Sequence, residues 1–351
     1  MLRLTALPAT YGDCLWLEYG VEASPSVILI DAGLSVSKAL KSRLIELAAK
    51  GGQLELVVVT HVDRDHIGGF LNLLKKNFFD VPVRDIWFNG FRHLPVPEDL
   101  EAFGEKQGEL LTKLILEKKL PWNAALKNGA LVVTETTFPI FDLPGGGSIT
   151  LLSPDGDQLK RLRTNWVRIC GEADLYADIP AQVNFFGKEG LEAFGNATPD
   201  IPALANEAFK EDTTEANGSS IAFIFEYAGK KVLFGADAYP SRLLKSLNEV
   251  AGHPPYKFDL VKIPHHGSEN NVSKDFIASI QCKQFLFSSN GSIYKHPAKQ
   301  AVSRVIQHSD EPRLLFNYRT PFTEIWDNSN LKLIYKYATD YGMDGELTVS
   351  L

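Results

Sequence analysis

Cysteine is scarce. The three in 351 residues, Cys14, Cys170 and Cys282, are far apart and odd in number. They form neither a metal motif nor a disulfide framework, which points to a reducing compartment and a cytoplasmic protein. No apolar run approaches the ~20 residues of a membrane helix, so no membrane partner is expected. The opening stretch MLRLTALPATYGDCLWLEYG lacks the basic segment, apolar core and small-residue cleavage site of an export signal; it reads as strand, turn, strand. Positive charge is also short. With 36 Lys and Arg against 43 Asp and Glu, the formal charge is −7, which argues against a protein that coats nucleic acid through a broad basic surface. It does not argue against a site that carries its own cations.

What is present is an alternation of short apolar strands and amphipathic helices. Strands are expected at 27–33, 54–60, 83–90, 147–154, within 219–238, at the start of 258–268 and in 283–292. Helices are expected at 38–51, 68–79, 98–120, 155–163, 240–250 and 297–308, and the tail beyond 313 reads as β-rich. No repeat of solenoid period is present. The pattern predicts a layered α/β fold, its sheets covered by helices. Residues 164–216 stand apart as polar, dotted with Gly and Pro, and weakly periodic. They read as an insertion: a lid, a partner-binding loop, or a plain surface excursion.

Four strand ends carry chemistry. The first is VVVTHVDRDHIGGF (57–70), with His61, Asp63, Asp65 and His66 directly behind a buried strand. In extended chain His61 and Asp63 face the same way, while Asp65 and His66 fall where the chain turns into a helix. Gly68 and Gly69 permit close backbone approach there. Asp65 alone would cap that helix; five ionisable groups in six residues are far more than a cap needs, and burying them unneutralised is costly. The second cluster is Asp237 in VLFGADAYP, the third is His265 and His266 in IPHHGS, and the fourth is His296 before Pro297. The remaining histidines, His93, His253 and His308, sit outside these clusters and read as surface or packing residues.

In order and type these residues resemble the metallo-β-lactamase superfamily, whose signature is H-x-H-x-D-H. More narrowly they resemble the hydrolase domain of the DNA-uptake protein ComEC and its stand-alone relatives. Asp63 occupies the second signature position as it does there, and Gly12-Asp13, Asn217 to Ser220, PHHGS at 264–268 and His296-Pro297 follow the same order. Two departures stand out. GADA replaces a simple Gly-Asp before the bridging carboxylate, and no histidine occurs between Ser153 and Asn217.

The resemblance implies a four-layer αββα sandwich of two mixed sheets flanked by helices, formed by 1–351 as a single domain with the 164–216 insertion. It implies two divalent ions, Zn²⁺ or Mn²⁺, with the oxygen ligand Asp63 favouring the harder metal. His61 and Asp63 would hold one ion, Asp65 and His66 the other, Asp237 would bridge, and one of His265 and His266 would complete the second site. Chemistry is assigned to His296, His265 and Asp65, with His296 or the unliganded member of the 265–266 pair donating a proton to the leaving group. Asn217 and Ser220 would fix the turn that aims Asp237, Asp13 would lie at the pocket edge, and Asp31 would buttress the metal loop.

Such a pair of ions suits phosphodiester hydrolysis. The expected function is a nuclease cleaving DNA. Two alternatives stay open: a phosphodiesterase for a small molecule such as a cyclic nucleotide or a phosphocholine ester, and a defence or toxin effector whose 164–216 segment answers to a regulatory protein partner. Superfamily membership does not fix the substrate.

Overall fold

Neighbouring residues of the central strands belong to different cores. Val27, Leu29, Val57 and Val59 face one apolar cluster, while Ile28, Ile30, Leu56 and Val58 face another. The two-residue side-chain period of a strand produces this division, and strands apolar on both faces suit a sheet covered on both sides. A computed structural model describes residues 1–95, 110–127, 129–172 and 198–351. It contains a six-stranded sheet in the order Leu347–Ser350, Leu2–Ala6, Leu15–Val21, Ser24–Ile30, Leu54–Val58, Ile86–Trp87, and an eight-stranded sheet in the order Ala338–Tyr341, Arg313–Phe316, Gln284–Phe287, Leu260–Lys262, Lys230–Phe234, Ala222–Tyr227, Ser148–Ser153, Ile140–Asp142.

The layers follow from what each cluster contains. Leu4, Leu17, Ile28 and Val58 of the first sheet meet Leu151, Phe223, Val232 and Leu286 of the second. Outside the first sheet pack Leu44, Phe70, Ile115 and Trp166, from the helices Lys38–Ala49, Arg64–Lys75, Leu110–Glu117 and Gly156–Glu172. Outside the second pack Leu243, Leu247, Phe276, Val302 and Val305, from the helices Pro240–Ala251, Lys274–Ala278 and Lys299–His308. Helix, sheet, sheet, helix is the sandwich expected. The last strand pairs antiparallel with the first, Val349 opposite Leu4.

Five strands of the second sheet run parallel, with Leu233, Val261, Phe285, Leu314 and Thr339 in one rank. Their C-terminal ends therefore share one edge, and Asp237, His265, His266 and Ser288 all follow such ends. In the first sheet Ser24–Ile30 and Leu54–Val58 are also parallel, and they deliver Asp31 and His61. Crevices beyond the carboxyl ends of parallel strands are where α/β folds place ligands.

Three expectations need correction. The helix expected at 155–163 continues to Glu172. Leu159, Leu162, Trp166, Ile169 and Cys170 recur at helical spacing and are buried, a stripe hidden by the charged residues of its opposite face. The stretch 164–216 read as an insertion therefore opens inside this helix; its residues 173–197 lie outside the described residues, and Ile201–Ala205 and Glu215–Gly218 are short helices. The tail is not purely β, because Pro321–Glu324 and Ser329–Tyr335 are helical. A capping box on Thr320 and an Asn328 cap start them, local signals that an apolar count overlooks. Of the helix expected at 98–120, the part 98–109 lies outside the described residues. No described helix is long and apolar enough to cross a membrane.

Candidate metal centre

The helix after the first cluster starts at Arg64 rather than Gly68, so Asp65 and His66 lie in its first turn. Asp63 occupies the N-cap position without making a side-chain capping bond. A cap is worth about 1 kcal/mol, yet this carboxylate turns to His61, with its Oδ2 3.6 Å from Nε2. The glycines act within the helix: a Cβ on Gly68 would lie 2.5 Å from the Leu34 carbonyl oxygen, and one on Gly69 2.1 Å from that of Ala32. Their bareness lets the helix press against the loop that carries Asp31.

The extra residue in GADA is taken up by Ala236, which adopts φ 44. Ser220 Oγ accepts from the Asp237 amide at 3.3 Å, and Asn271 Nδ2 donates to the Asp237 carbonyl at 3.1 Å. The paired histidines sit in a left-handed turn, His265 at φ 46, His266 at φ 53 and Gly267 at φ 86. Strain of this sort persists only where the surroundings enforce it and concentrates at functional sites.

These segments converge. Asp237 Oδ2 lies 3.4 Å from His66 Nε2, 3.6 Å from His265 Nε2, and 3.8 Å from the Nε2 atoms of His61 and His266. Asp65 Oδ2 is 3.8 Å from His66 Nε2 and 3.7 Å from His266 Nε2. His61, His66 and Asp237 offer three ligand atoms within 4.8 Å of one another, and so do Asp65, His66 and His266. Of the pair at 265–266, it is His266 that joins the Asp65–His66 group; His265 reaches Asp237 alone.

Three observations show that the set fits divalent cations. His66 Nδ1 donates to Asp31 Oδ2 at 2.8 Å, and His266 Nδ1 donates to the Ser288 carbonyl at 2.9 Å. Their Nε2 atoms then meet at 3.2 Å, joined in the metal-free protein by the proton of His66 and free to turn to a cation that displaces it. His61 Nε2 and Asp237 Oδ1 are buried without any hydrogen-bond partner, which is costly unless a ligand satisfies them. The charges are also mutually dependent. Burial works against charge on His66, but Asp237, Asp31 and Asp65 outweigh it and hold the imidazole well above its ordinary pKa. Asp237, equally buried, is kept well below the usual carboxylate range by His66, His265 and His266. Asp65 is raised, chiefly by burial.

Sequence reasoning missed a layer behind these groups. Asp13 is not at the pocket edge but buried, its Oδ2 2.8 Å from Lys262 Nζ and its Oδ1 3.5 Å from His266 Nδ1. Ser288 Oγ also donates to Asp13. Lys262 is itself buried and donates to the Ile263 carbonyl at 3.0 Å. The signal was a lysine inside an apolar strand run, which signifies little until a partner is found. Thr60 bonds Asp31 through both its amide, at 2.9 Å, and its hydroxyl, at 2.7 Å.

His265 stands on the open side, its side chain 23% exposed. Its Nδ1 donates to Asn271 Oδ1 at 2.7 Å, and Asn271 Nδ2 in turn donates to Asp212 Oδ2 at 3.2 Å. Asn217 Nδ2 donates to the same carboxylate at 2.6 Å, so Asn217 serves the His265 side, and Ser220 alone of the two bonds the Asp237 turn. His296 lies beyond His265, ring centroids 5.5 Å apart, and contacts no other member of the cluster. Burial and the nearby His265 and His266 lower its pKa to about 3. His93 packs edge-on against Trp122 at 4.3 Å, His253 is exposed and His308 half-buried, all outside the site.

Comparison with known proteins bears on half of this set. Residues 19–152 match the metallo-beta-lactamase superfamily. That stretch contains His61 to His66, while Asp237, His265 and His266 lie beyond it and join through the fold. The mixed architecture of two large sheets and flanking helices is consistent with the fold of that superfamily. A solved structure of a mutant CmlA beta-hydroxylase aligns with a TM-score of 0.38 and 12% identity, over 100% of this chain and 54% of that one. The chain thus spans about half the length of that protein. A search of curated proteins found no match.

Proposed function

We propose that this chain is a binuclear metal-dependent phosphodiesterase that cleaves DNA. One observation carries the metal reading: a buried carboxylate, Asp237, faces four imidazole nitrogens from two distant segments, and both its Oδ1 and His61 Nε2 lack a partner. Asp65, His66 and His266 would hold one divalent ion, His61 and Asp63 the other, and Asp237 would serve both. When bound, such a pair supplies Lewis-acid polarisation of a phosphoryl oxygen and a nucleophile at neutral pH. DNA as substrate is supported by the resemblance to the ComEC hydrolase domain in Gly12-Asp13, Asp63, PHHGS and His296-Pro297.

The chain's own groups divide the remaining work. Asp31 and Ser288 each take an Nδ1–H and so point His66 Nε2 and His266 Nε2 inward. Outer partners of this kind orient metal-binding imidazoles and fix their tautomers. Proton delivery to the leaving oxygen falls to His265 rather than His296. His265 is partly exposed beside the cluster and anchored through Asn271 to Asp212, whereas a group with a pKa near 3 holds no proton to give at neutral pH.

The test uses purified protein with circular DNA and with bis(p-nitrophenyl) phosphate, with and without Mn²⁺ or Zn²⁺, against a His61→Ala/Asp65→Ala control. Metal-dependent cleavage of both substrates, absent in the control, is expected. Cleavage of the ester alone would shift the substrate to a small phosphodiester. No metal-dependent turnover on either would end the reading.

A further inference from the structure

One wall of the cleft is aromatic and fixed in place. Tyr294 is 59% exposed, yet its ring stacks on that of His296 (centroids 6.0 Å, 26° between planes) and meets the edge of Tyr11 (5.8 Å, 78°). His296 in turn lies 5.5 Å from the His265 ring, so the stacked rings run outward from the cluster. Both supporting loops are tied to the rest of the site. A Cβ on Gly12 would fall 1.8 Å from the Asp65 carbonyl oxygen, which places the chain beside Tyr11 directly against the metal-binding loop. The Asn290 amide donates to the Thr10 carbonyl at 2.8 Å, and the Thr10 amide to Tyr318 at 3.0 Å. Ile293, next to Tyr294, is 47% exposed as well. Beyond Tyr294 and His296 opens a cavity of about 340 Å³ with Ser268, Asn270, Lys295 and Gln300 on its walls.

A rigid aromatic face exposed beside a phosphodiester site gains by covering itself with another flat ring. Base stacking does this at little entropic cost and without sequence preference. We propose that Tyr294, braced by Tyr11 and His296, is the platform on which the nucleobase next to the scissile phosphodiester stacks, with the adjoining nucleotide entering the cavity beyond. The inference rests on the phosphodiesterase reading and narrows its substrates to esters that carry a base. That base belongs to a DNA strand or to a cyclic dinucleotide.

Photo-cross-linking tests it directly. A single-stranded ten-residue oligonucleotide with phosphorothioate linkages and one 5-iododeoxyuridine is irradiated with the Mn²⁺-treated protein, and the adduct is located by tandem mass spectrometry. The adduct is expected on Tyr294 or Tyr11. By fluorescence anisotropy, Tyr294→Ala should weaken binding of a thymidine strand about ten-fold while an abasic strand of equal length changes less than about two-fold; Tyr294→Trp should restore the thymidine strand. Competition by unlabelled thymidine strand against a cyclic dinucleotide tells which source the platform takes. An adduct elsewhere, no adduct, or equal loss on both strands would overturn the platform. Turnover of bis(p-nitrophenyl) phosphate in the same preparation reports separately on the phosphodiesterase reading. Turnover without the adduct removes only the platform; the adduct with no turnover of this ester or of circular DNA removes the hydrolase and leaves Tyr294 as a base-binding surface with no scissile phosphate beside it.

Discussion

The two halves of the cluster around Asp237 are built differently. Asp65, His66 and His266 are nearly sealed, with side-chain exposures of 15%, 0% and 1%. Behind them stand two bonded sets, Asp31 with Thr60 behind His66, and Ser288 with Asp13 and Lys262 behind His266. His61 is sealed as well, but its companion Asp63 is 38% exposed, and the support there is Thr60 Oγ1 at 3.0 Å from His61 Nδ1. One half is therefore assembled by folding, its orientation set before any ion arrives. The other would be completed only by an ion bound there. A buried and supported half should hold metal tightly, and a half with one solvent-facing ligand should exchange it.

The carboxylate common to both halves gives the largest expected effect. Asp237→Asn keeps the shape but removes the charge that both ions would share. Phosphodiester turnover should fall by about 10³-fold or more, and metal content measured by mass spectrometry should fall in both halves rather than one. Loss of one ion only would mean that Asp237 belongs to a single half, and the comparison above would need redrawing.

Lys262 tests whether the sealed half depends on its backing. Lys262 and Asp13 are 1% and 2% exposed, and removing one partner of a buried ion pair strands the other, at a cost of about 3–5 kcal/mol. Lys262→Met should lower unfolding free energy by that order in denaturant titration. Adding Asp13→Leu should recover part of it, because the stranded charge is then gone. If the single variant is as stable as the wild type, the pair is not what supports His266.

How much of this could be read from sequence follows the same division. His61 to His66 form a contiguous cluster whose density of ionisable groups behind an apolar strand has no cheap structural explanation, so they are visible without a fold. The layered α/β class was visible too, since alternating strands and amphipathic helices determine which faces must be covered, while the αββα order came from the resemblance. Lys262, Asp212 and Asn271 were not visible, and Asp13 was noted through the resemblance but without its partner. Each is an ordinary residue in its own segment, and only the chain's return through both sheets brings Asp13 to Lys262 across roughly the whole first sheet and half the second. The long helix ending at Glu172 was obscured for another reason, because its buried stripe is a minority of its residues.

Protons sharpen the contrast between the halves. In the metal-free protein the His66 pKa lies well above its ordinary value. A group raised in the folded state adds stability below its unfolded pKa and loses that contribution as pH rises through the folded value. The metal-free protein is thus stabilised by protonated His66 at mildly acid pH, and a metal must expel that proton to use Nε2. Near neutral pH, binding at the sealed half should release about one proton, and apparent affinity should rise about ten-fold per pH unit. Calorimetric titration in buffers of different ionisation enthalpy measures both. Release of no proton would place the ion away from His66.

The open half gives the smallest effect and the most selective one. Asp63 is partly solvated and makes no capping bond, so Asp63→Asn leaves no buried charge stranded, and the new amide can cap the helix that Asp63 left uncapped. Stability should change by under about 1 kcal/mol or even rise by a few tenths, while affinity for one ion falls about ten-fold or more and that for the other stays. Titration with Mn²⁺ should then resolve two unequal steps, the weaker one selectively affected. If both steps weaken together, Asp63 acts on the sealed half as well, through Asp237. The asymmetry would then be one of solvent access alone, and the two ions would have to be treated as a single coupled unit.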